Sequence, residues 1–223
     1  DVGEFEEQMK RTKAAFNSYF TDYPTQTSCV LALYFGLAED RKALADKLAK
    51  MVKDNGNRLK TGFVGTPYLL YALSENGYTD AAYDLLCQNK FPSWLYAVEH
   101  GATTVWEHWD GIKPDGTMWS TDMNSFNHYA YGAVADWMYG AAAGINSDPD
   151  RPGFEHIIFR PVTDRRLDFV KASIDTRRGT VASEWRRENG RIKYIFTVPE
   201  GCSASVIIGG EKHEVGAGTH EFF

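Results

Sequence analysis

The chain is poor in most of the features that assign a protein early. It has three cysteines in 223 residues, Cys29, Cys87 and Cys202. They are widely separated and odd in number, which argues against a disulfide framework or a CxxC metal knuckle and for buried free thiols. Basic residues are outnumbered, 24 Lys and Arg against 30 Asp and Glu, for a formal net charge of −6. That balance argues against a nucleic-acid partner, because neutralising phosphates needs a basic surface. No apolar run approaches the ~20 residues of a membrane span. The opening, DVGEFEEQMKRTKAAF, is acidic and amphipathic, unlike a signal peptide. There is no Gly-x-Ser-x-Gly elbow, P-loop or dinucleotide glycine fingerprint, so elbow hydrolases and nucleotide binding have no support, and no cofactor is implied. No fixed-period repeat points to a solenoid.

Aromatic residues, by contrast, make up 14% of the chain, and they concentrate in residues 101–131, GATTVWEHWDGIKPDGTMWSTDMNSFNHYAY. This stretch holds Trp106, Trp109 and Trp119, half of the six tryptophans, with His108 and His128 inside it and His100 just ahead. It also holds four acids, Glu107, Asp110, Asp115 and Asp122. A core has no need of so many carboxylates, and a solvated loop has no need of so many indoles. Aromatic planes beside carboxylates and amides suit a sugar cleft, where rings cover C–H faces and polar groups read hydroxyls. Glu107, set in Trp-Glu-His-Trp, is either an ordinary surface carboxylate or a positioned general base. His128 either caps the helix that follows or donates to a ligand hydroxyl. A metal held by His100, His108, His128 and Glu107 is a third option, but the spacing matches no compact ligand motif. Asp115-Gly116 is a turn signal, the loop acids read mostly as turn formers, and Glu99 and His100, just before the stretch, read as loop residues.

Ahead of this stretch the apolar pattern is helical and alternates in kind. Residues 5–20 place Phe5, Met9, Phe16, Tyr19 and Phe20 on one face, with an end expected near Tyr23-Pro24. Residues 29–37 (CVLALYFGL) are apolar nearly all round. Residues 40–53 are amphipathic through Leu44, Leu48, Met51 and Val52, with Asn55-Gly56 as the stop. Residues 67–73 are again apolar throughout, Thr79 is expected to cap a short amphipathic helix, and 131–143 form a small-residue buried helix. Alternating buried and amphipathic helices fit an antiparallel α/α barrel, and six helices make half of a twelve-helix ring.

The turn cluster at 146–153, NSDPDRPG, marks a boundary, and the period then changes from 3.6 to 2. Strands are expected at 157–159, 167–175, 180–187, 192–198, 205–208, 212–215 and 219–222, with tight turns at Asn189-Gly190 and Gly209-Gly210. The fold class is α+β, two domains: a partial α/α toroid over 1–148, then an antiparallel β-sandwich over 149–223 whose expected role is packing rather than chemistry.

Four segments in order carry a resemblance: YPTQTSCVLALYFGL (23–37), TGFVGTPYLLYAL (61–73), FPSWLYAVEHGATTVWEHWDG (91–111) and MNSFNHYAYGAVADWMY (123–139). Together they resemble the C-terminal half of bacterial α-L-rhamnosidases, an inverting glycosidase family with an (α/α)6-barrel catalytic domain, and 155–223 resemble the family's C-terminal β-sandwich. The resemblance implies that Glu107, in ATT-x-W-E, is the general base that activates water. It implies that His128, in N-S-F-N-H, contacts bound rhamnose, while Trp106 and Trp109 are expected to line the site. The implied partner is a rhamnose-containing glycoside, with no nucleic acid and no membrane. The family's general acid comes from the earlier half of the barrel, so the chain is expected to be a fragment, completed by a missing N-terminal half or a partner chain and nearly inactive alone. A signal peptide would lie upstream of Asp1, so these residues specify no compartment. Two other readings stand beside this one: a carbohydrate-binding or structural remnant without catalysis, and a related toroid glycosidase with another sugar specificity.

Overall fold

The computed structural model describes residues 2–223, and the chain divides into two compact units between Val134 and Ala135. The first unit is helical: α1 (Val2–Tyr19), α2 (Gln26–Tyr34), α3 (Arg41–Asp54), α4 (Thr66–Ser74), α5 (Thr79–Leu86) and α6 (Trp94–Glu99). None of the described helices is long and apolar enough to cross a membrane.

The alternation read from the sequence follows from burial in α2 to α5, but the segment 131–143, expected to be buried, leaves Met138 and Tyr139 exposed. In α2, Cys29, Val30, Ala32 and Leu33 are sealed, and in α4 Leu69, Leu70, Ala72 and Leu73 are. The amphipathic α3 and α5 each bury one stripe, Leu44, Ala45, Leu48 and Val52 in the first and Ala82, Tyr83 and Leu85 in the second. Both α3 and α4 pack on α2, and α5 packs on α4. Caps set the helix starts. Thr25 and Ser28 form a reciprocal capping box on α2, and the Asp40 carboxylate accepts from Ala43 N–H at 2.9 Å on α3. Gly56, at φ +70°, supplies the left-handed turn that stops α3.

Four expectations need correction. Helix α1 ends at Tyr19, before the Tyr23-Pro24 stop, and none of its residues is buried. Thr79 is the first residue of α5 rather than its cap; Tyr78 occupies the cap position, with no side-chain bond. Glu99 closes helix α6 instead of lying in a loop, and it accepts from Asn89 Nδ2 at 2.9 Å. The continuous helix expected over 131–143 is a 3₁₀ turn (Ala130–Ala133), one α turn (Val134–Trp137) and a π turn (Met138–Ala142). Gly132, Gly140 and Gly144 punctuate this segment, and small residues give little side-chain packing to enforce one period.

The second unit holds β1 (Ile145–Ser147), β2 (His156–Phe159), β3 (Phe169–Thr176), β4 (Gly179–Glu188), β5 (Arg191–Val198), β6 (Ser203–Ile208), β7 (Glu211–Val215) and β8 (Gly218–Phe222). They form two four-stranded sheets, ordered β1-β2-β6-β7 and β3-β4-β5-β8. Neighbours run antiparallel except β2 and β6, which run parallel in the register His156 to Ser203. All seven expected strands are present. The eighth, β1, is too short to show a period and lies ahead of the turn cluster.

Both sheets share one core, with Ile157, Phe159 and Val206 from one and Val181, Trp185 and Phe196 from the other; the Phe159 and Phe196 rings stack at 4.6 Å. Trp185 Nε1–H donates to Ala142 C=O at 2.8 Å and Ser183 Oγ–H to Ala143 C=O at 2.6 Å, so β4 satisfies buried carbonyls at the end of the π turn. The buried His156 is hydrogen-bonded through both ring nitrogens, to Ser203 Oγ at 2.7 Å and to Ser205 Oγ at 2.8 Å. That pairing ties β2 to β6.

Candidate active site

The aromatic stretch folds back on itself within the first unit. Residues near 104–107 and 125–128 lie side by side in antiparallel sense, joined by main-chain bonds. Glu107 N–H donates to Ser125 C=O at 2.9 Å and His128 N–H to Val105 C=O at 2.8 Å. The Thr104 hydroxyl adds a bond to Phe126 C=O. The result is a short ribbon that carries both Glu107 and His128, although 20 residues separate them in sequence. Glu107 Oε2 accepts from Ser125 N–H at 3.3 Å, so its carboxylate is anchored across the ribbon. Such an acceptor is held in place without burying a cation beside it.

His128 is oriented from two directions. Its Nδ1 accepts from Ala130 N–H at 3.4 Å, so in the neutral ring the proton sits on Nε2, which is left to donate elsewhere. Its ring stacks on Phe63 at 4.7 Å, with 16° between the planes. Phe63 also leans on Tyr131 at 5.0 Å, Tyr131 stacks on Trp109 at 3.7 Å, and Trp109 meets Trp94 edge-on at 5.5 Å. Five rings are therefore linked in series from Trp94 to His128. Burial, and then the nearby Glu107 carboxylate, push the Tyr131 phenol up from its ordinary range.

The predicted residues occupy unequal positions. Trp106 is only 5% exposed, packs edge-on to Phe126 at 5.4 Å and lies over Gly111. A Cβ on Gly111 would come within 3.0 Å of the Trp106 ring, so the indole needs glycine there. Trp106, Trp109, Trp94, Val98, Val105 and Tyr131 line a cavity of about 290 Å³ on the α6 side. Trp119 does not line this cavity but stacks at 3.5 Å on His108, which does, and leaves 43% of its own surface exposed. His100 stacks on Tyr96 and bonds Tyr96 C=O at 2.8 Å through Nδ1, a local helix-end role. Among the described residues no group of three His, Cys, Asp or Glu is placed to hold a metal ion. Asp115 is a turn former: its carboxylate accepts from Thr117 Oγ–H at 2.7 Å and Thr117 N–H at 2.9 Å, and these bonds hold it below the usual carboxylate range.

Phe63 and Tyr131 were not singled out by sequence reasoning. Tyr131 reads as the start of a buried helix. Phe63 carries one signal, an aromatic residue bracketed by glycines in TGFVG, where a turn has no need of a ring.

Comparison with known proteins matches both units. Residues 1–142 match the family described as bacterial alpha-L-rhamnosidase 6 hairpin glycosidase domain, and 144–223 match the bacterial alpha-L-rhamnosidase C-terminal domain. An alpha-L-rhamnosidase of Streptomyces avermitilis is 41% identical over 201 residues, covering 89% of this chain and 19% of that protein. One from an Alteromonas species is 34% identical over 223 residues, covering 93% and 23%. Among solved structures, Streptomyces avermitilis alpha-L-rhamnosidase complexed with L-rhamnose superposes with a TM-score of 0.93 at 35% identity, over 99% of this chain and 24% of that one. The native enzyme from Aspergillus terreus gives 0.92 at 33%, over 99% and 27%. The chain thus spans about a fifth of the length of the curated relatives it matches.

Proposed function

Since this chain belongs to the bacterial α-L-rhamnosidase family, we propose that it supplies the base-bearing side of a site that hydrolyses terminal α-L-rhamnosides with inversion. Glu107 is the general base. Its carboxylate takes a proton from water as that water attacks the anomeric carbon, on the face opposite the departing oxygen. A second carboxyl protonates that oxygen, about 6.5–9.5 Å from the first so that water fits between them. This acid comes from the part of the protein ahead of these residues, and upstream helices or a partner chain complete the toroid. His128 donates from Nε2 to a sugar hydroxyl, and Trp106 and Trp109 form the wall behind. Residues 149–223 carry none of the chemistry.

The ribbon is the observation that carries this reading. It holds an anchored carboxylate and an oriented imidazole donor on one hydrogen-bonded frame, beside a line of aromatic faces. The apolar face of α1 supports a missing cover, because Val2, Phe5 and Met9 are all exposed. Hydrolysis of p-nitrophenyl α-L-rhamnoside by the 223-residue chain, alongside the full-length protein, tests it. The full-length protein is expected to turn over and to release β-rhamnose first, read by proton NMR. The isolated chain is expected to be nearly inactive, since absence of the acid alone forfeits roughly 10²–10⁴-fold. Clear hydrolysis by the isolated chain, or release of the α-anomer first, would contradict the assignment.

A further inference from the structure

Phe63 has no assigned role, yet its turn is unusually well fastened. The Thr61 and Thr66 hydroxyls, both buried, bond each other at 2.7 Å, and Thr66 Oγ–H reaches Thr61 C=O at 3.2 Å. Gly65 N–H and Thr66 N–H both donate to Gly62 C=O, at 3.2 and 3.0 Å. Gly65 lies so close to α2 that a Cβ there would sit 2.8 Å from Thr27 Oγ1 and 3.1 Å from Thr61 Cγ2. Buried hydroxyls and a tight glycine contact thus fix a turn whose tip is a phenylalanine 40% exposed to solvent. An exposed ring contributes little to a core, so the fastening serves what the ring faces. It faces His128, at 4.7 Å with the two planes nearly parallel.

We infer that Phe63 is a positioning residue for His128. The inference rests on the proposed role of His128 as a donor to the sugar. The Ala130 N–H bond fixes which nitrogen carries the proton; the Tyr129 ring also lies parallel to the imidazole at 5.7 Å, but it is 87% exposed, so the imidazole is still able to rotate about its Cβ bond. The Phe63 face removes that freedom and aims Nε2–H along one line. Phe63 therefore acts through His128, with no contact of its own to the reacting atoms. Tyr131, tilted against the same phenyl ring at 5.0 Å, links this brace to Trp109.

The test uses the full-length protein and p-nitrophenyl α-L-rhamnoside. Phe63→Leu keeps apolar volume but loses the plane, while Phe63→Tyr keeps the plane. Aromatic pairs of this kind predict about a three- to tenfold fall in kcat/KM for Phe63→Leu, mostly through KM, with thermal unfolding unchanged. Phe63→Tyr is expected within about twofold of the parent by the same reasoning. In a His128→Ala background, Phe63→Leu should cost nothing further, since the ring it orients is gone. Full activity of Phe63→Leu, failure of Phe63→Tyr to restore activity, or an equal loss with and without His128 would overturn the inference. Glu107→Gln, run beside these, separates the two levels. If it abolishes turnover while Phe63→Leu is silent, only the positioning role fails. If it leaves turnover intact, the general-base reading fails.

Discussion

Gly144→Ala should be among the most damaging single-methyl additions in the second unit. Gly144 has φ +76°, where a side chain costs about 1–2 kcal/mol. More important, an added Cβ would lie 2.2 Å from Pro161 N and 2.4 Å from Arg160 C. Both are backbone atoms, so no rotamer change relieves the contact and the two chain segments must separate. Separation breaks Arg160 N–H to Gly144 C=O at 2.9 Å and strains Val162 N–H to Ala141 C=O at 2.8 Å, each worth about 1 kcal/mol. Overpacking of this kind adds about 1–3 kcal/mol. The expected loss is therefore about 3–7 kcal/mol in all. Gly153→Ala is the matched control, with φ +73° and no heavy atom within 4 Å of the added Cβ. It carries the conformational cost alone, about 1–2 kcal/mol. Urea unfolding of parent and both variants, followed by circular dichroism, gives the difference. Equal losses for the two would refute the argument, because the close approach would then contribute nothing.

Trp185→Phe should cost about 2–4 kcal/mol in the same assay, since it leaves Ala142 C=O unpaired and opens space in a sealed core. Gly65→Ala should lower kcat/KM of the full-length protein by shifting the Phe63 turn away from Thr27. Gly62→Ala, with nothing within 4 Å of the added carbon, should have a smaller effect on the same rate. On the acid side, bonds from Lys212 and Ser205 hold the Glu214 carboxyl below its ordinary range. A lowered carboxylate stabilises the fold above its unfolded-state value, and that contribution is lost as pH falls through the folded one. Thermal midpoints should thus decline below about pH 4, and Glu214→Gln should flatten the decline slightly, as befits an exposed pair.

Much of the fold was legible because burial imprints itself on composition. Residues 29–37 and 67–73 are apolar nearly all round because α2 and α4 are covered over most of their surface, with Tyr34 and Phe35 as exposed exceptions, whereas α3 and α5 show one stripe because they have one covered face. Asn189-Gly190 announced its hairpin because both residues take positive φ, at 50° and 77°. Three-residue β1 offers no period to read, and the segment from Tyr131 to Ala143 has too few large side chains to choose between 3₁₀, α and π geometry. At the site, Glu107 and His128 stood out as a carboxylate and an imidazole among indoles. The resemblance carried their roles further than residue chemistry alone. The ribbon joining them is made of main-chain bonds, which leave no mark on side-chain identity. The Phe63 stack spans 65 residues of sequence and is purely tertiary. A glycine-bracketed phenylalanine is visible in the sequence, but its partner is not.

Glu107→Gln in the full-length protein is the most direct measurement, because glutamine keeps the shape and the acceptor for Ser125 N–H but cannot take a proton from water. Turnover of p-nitrophenyl α-L-rhamnoside should fall by roughly 10²–10⁴-fold while affinity for L-rhamnose, measured by calorimetry, stays near that of the parent. Turnover at the parental rate would contradict the assignment of Glu107 as the base.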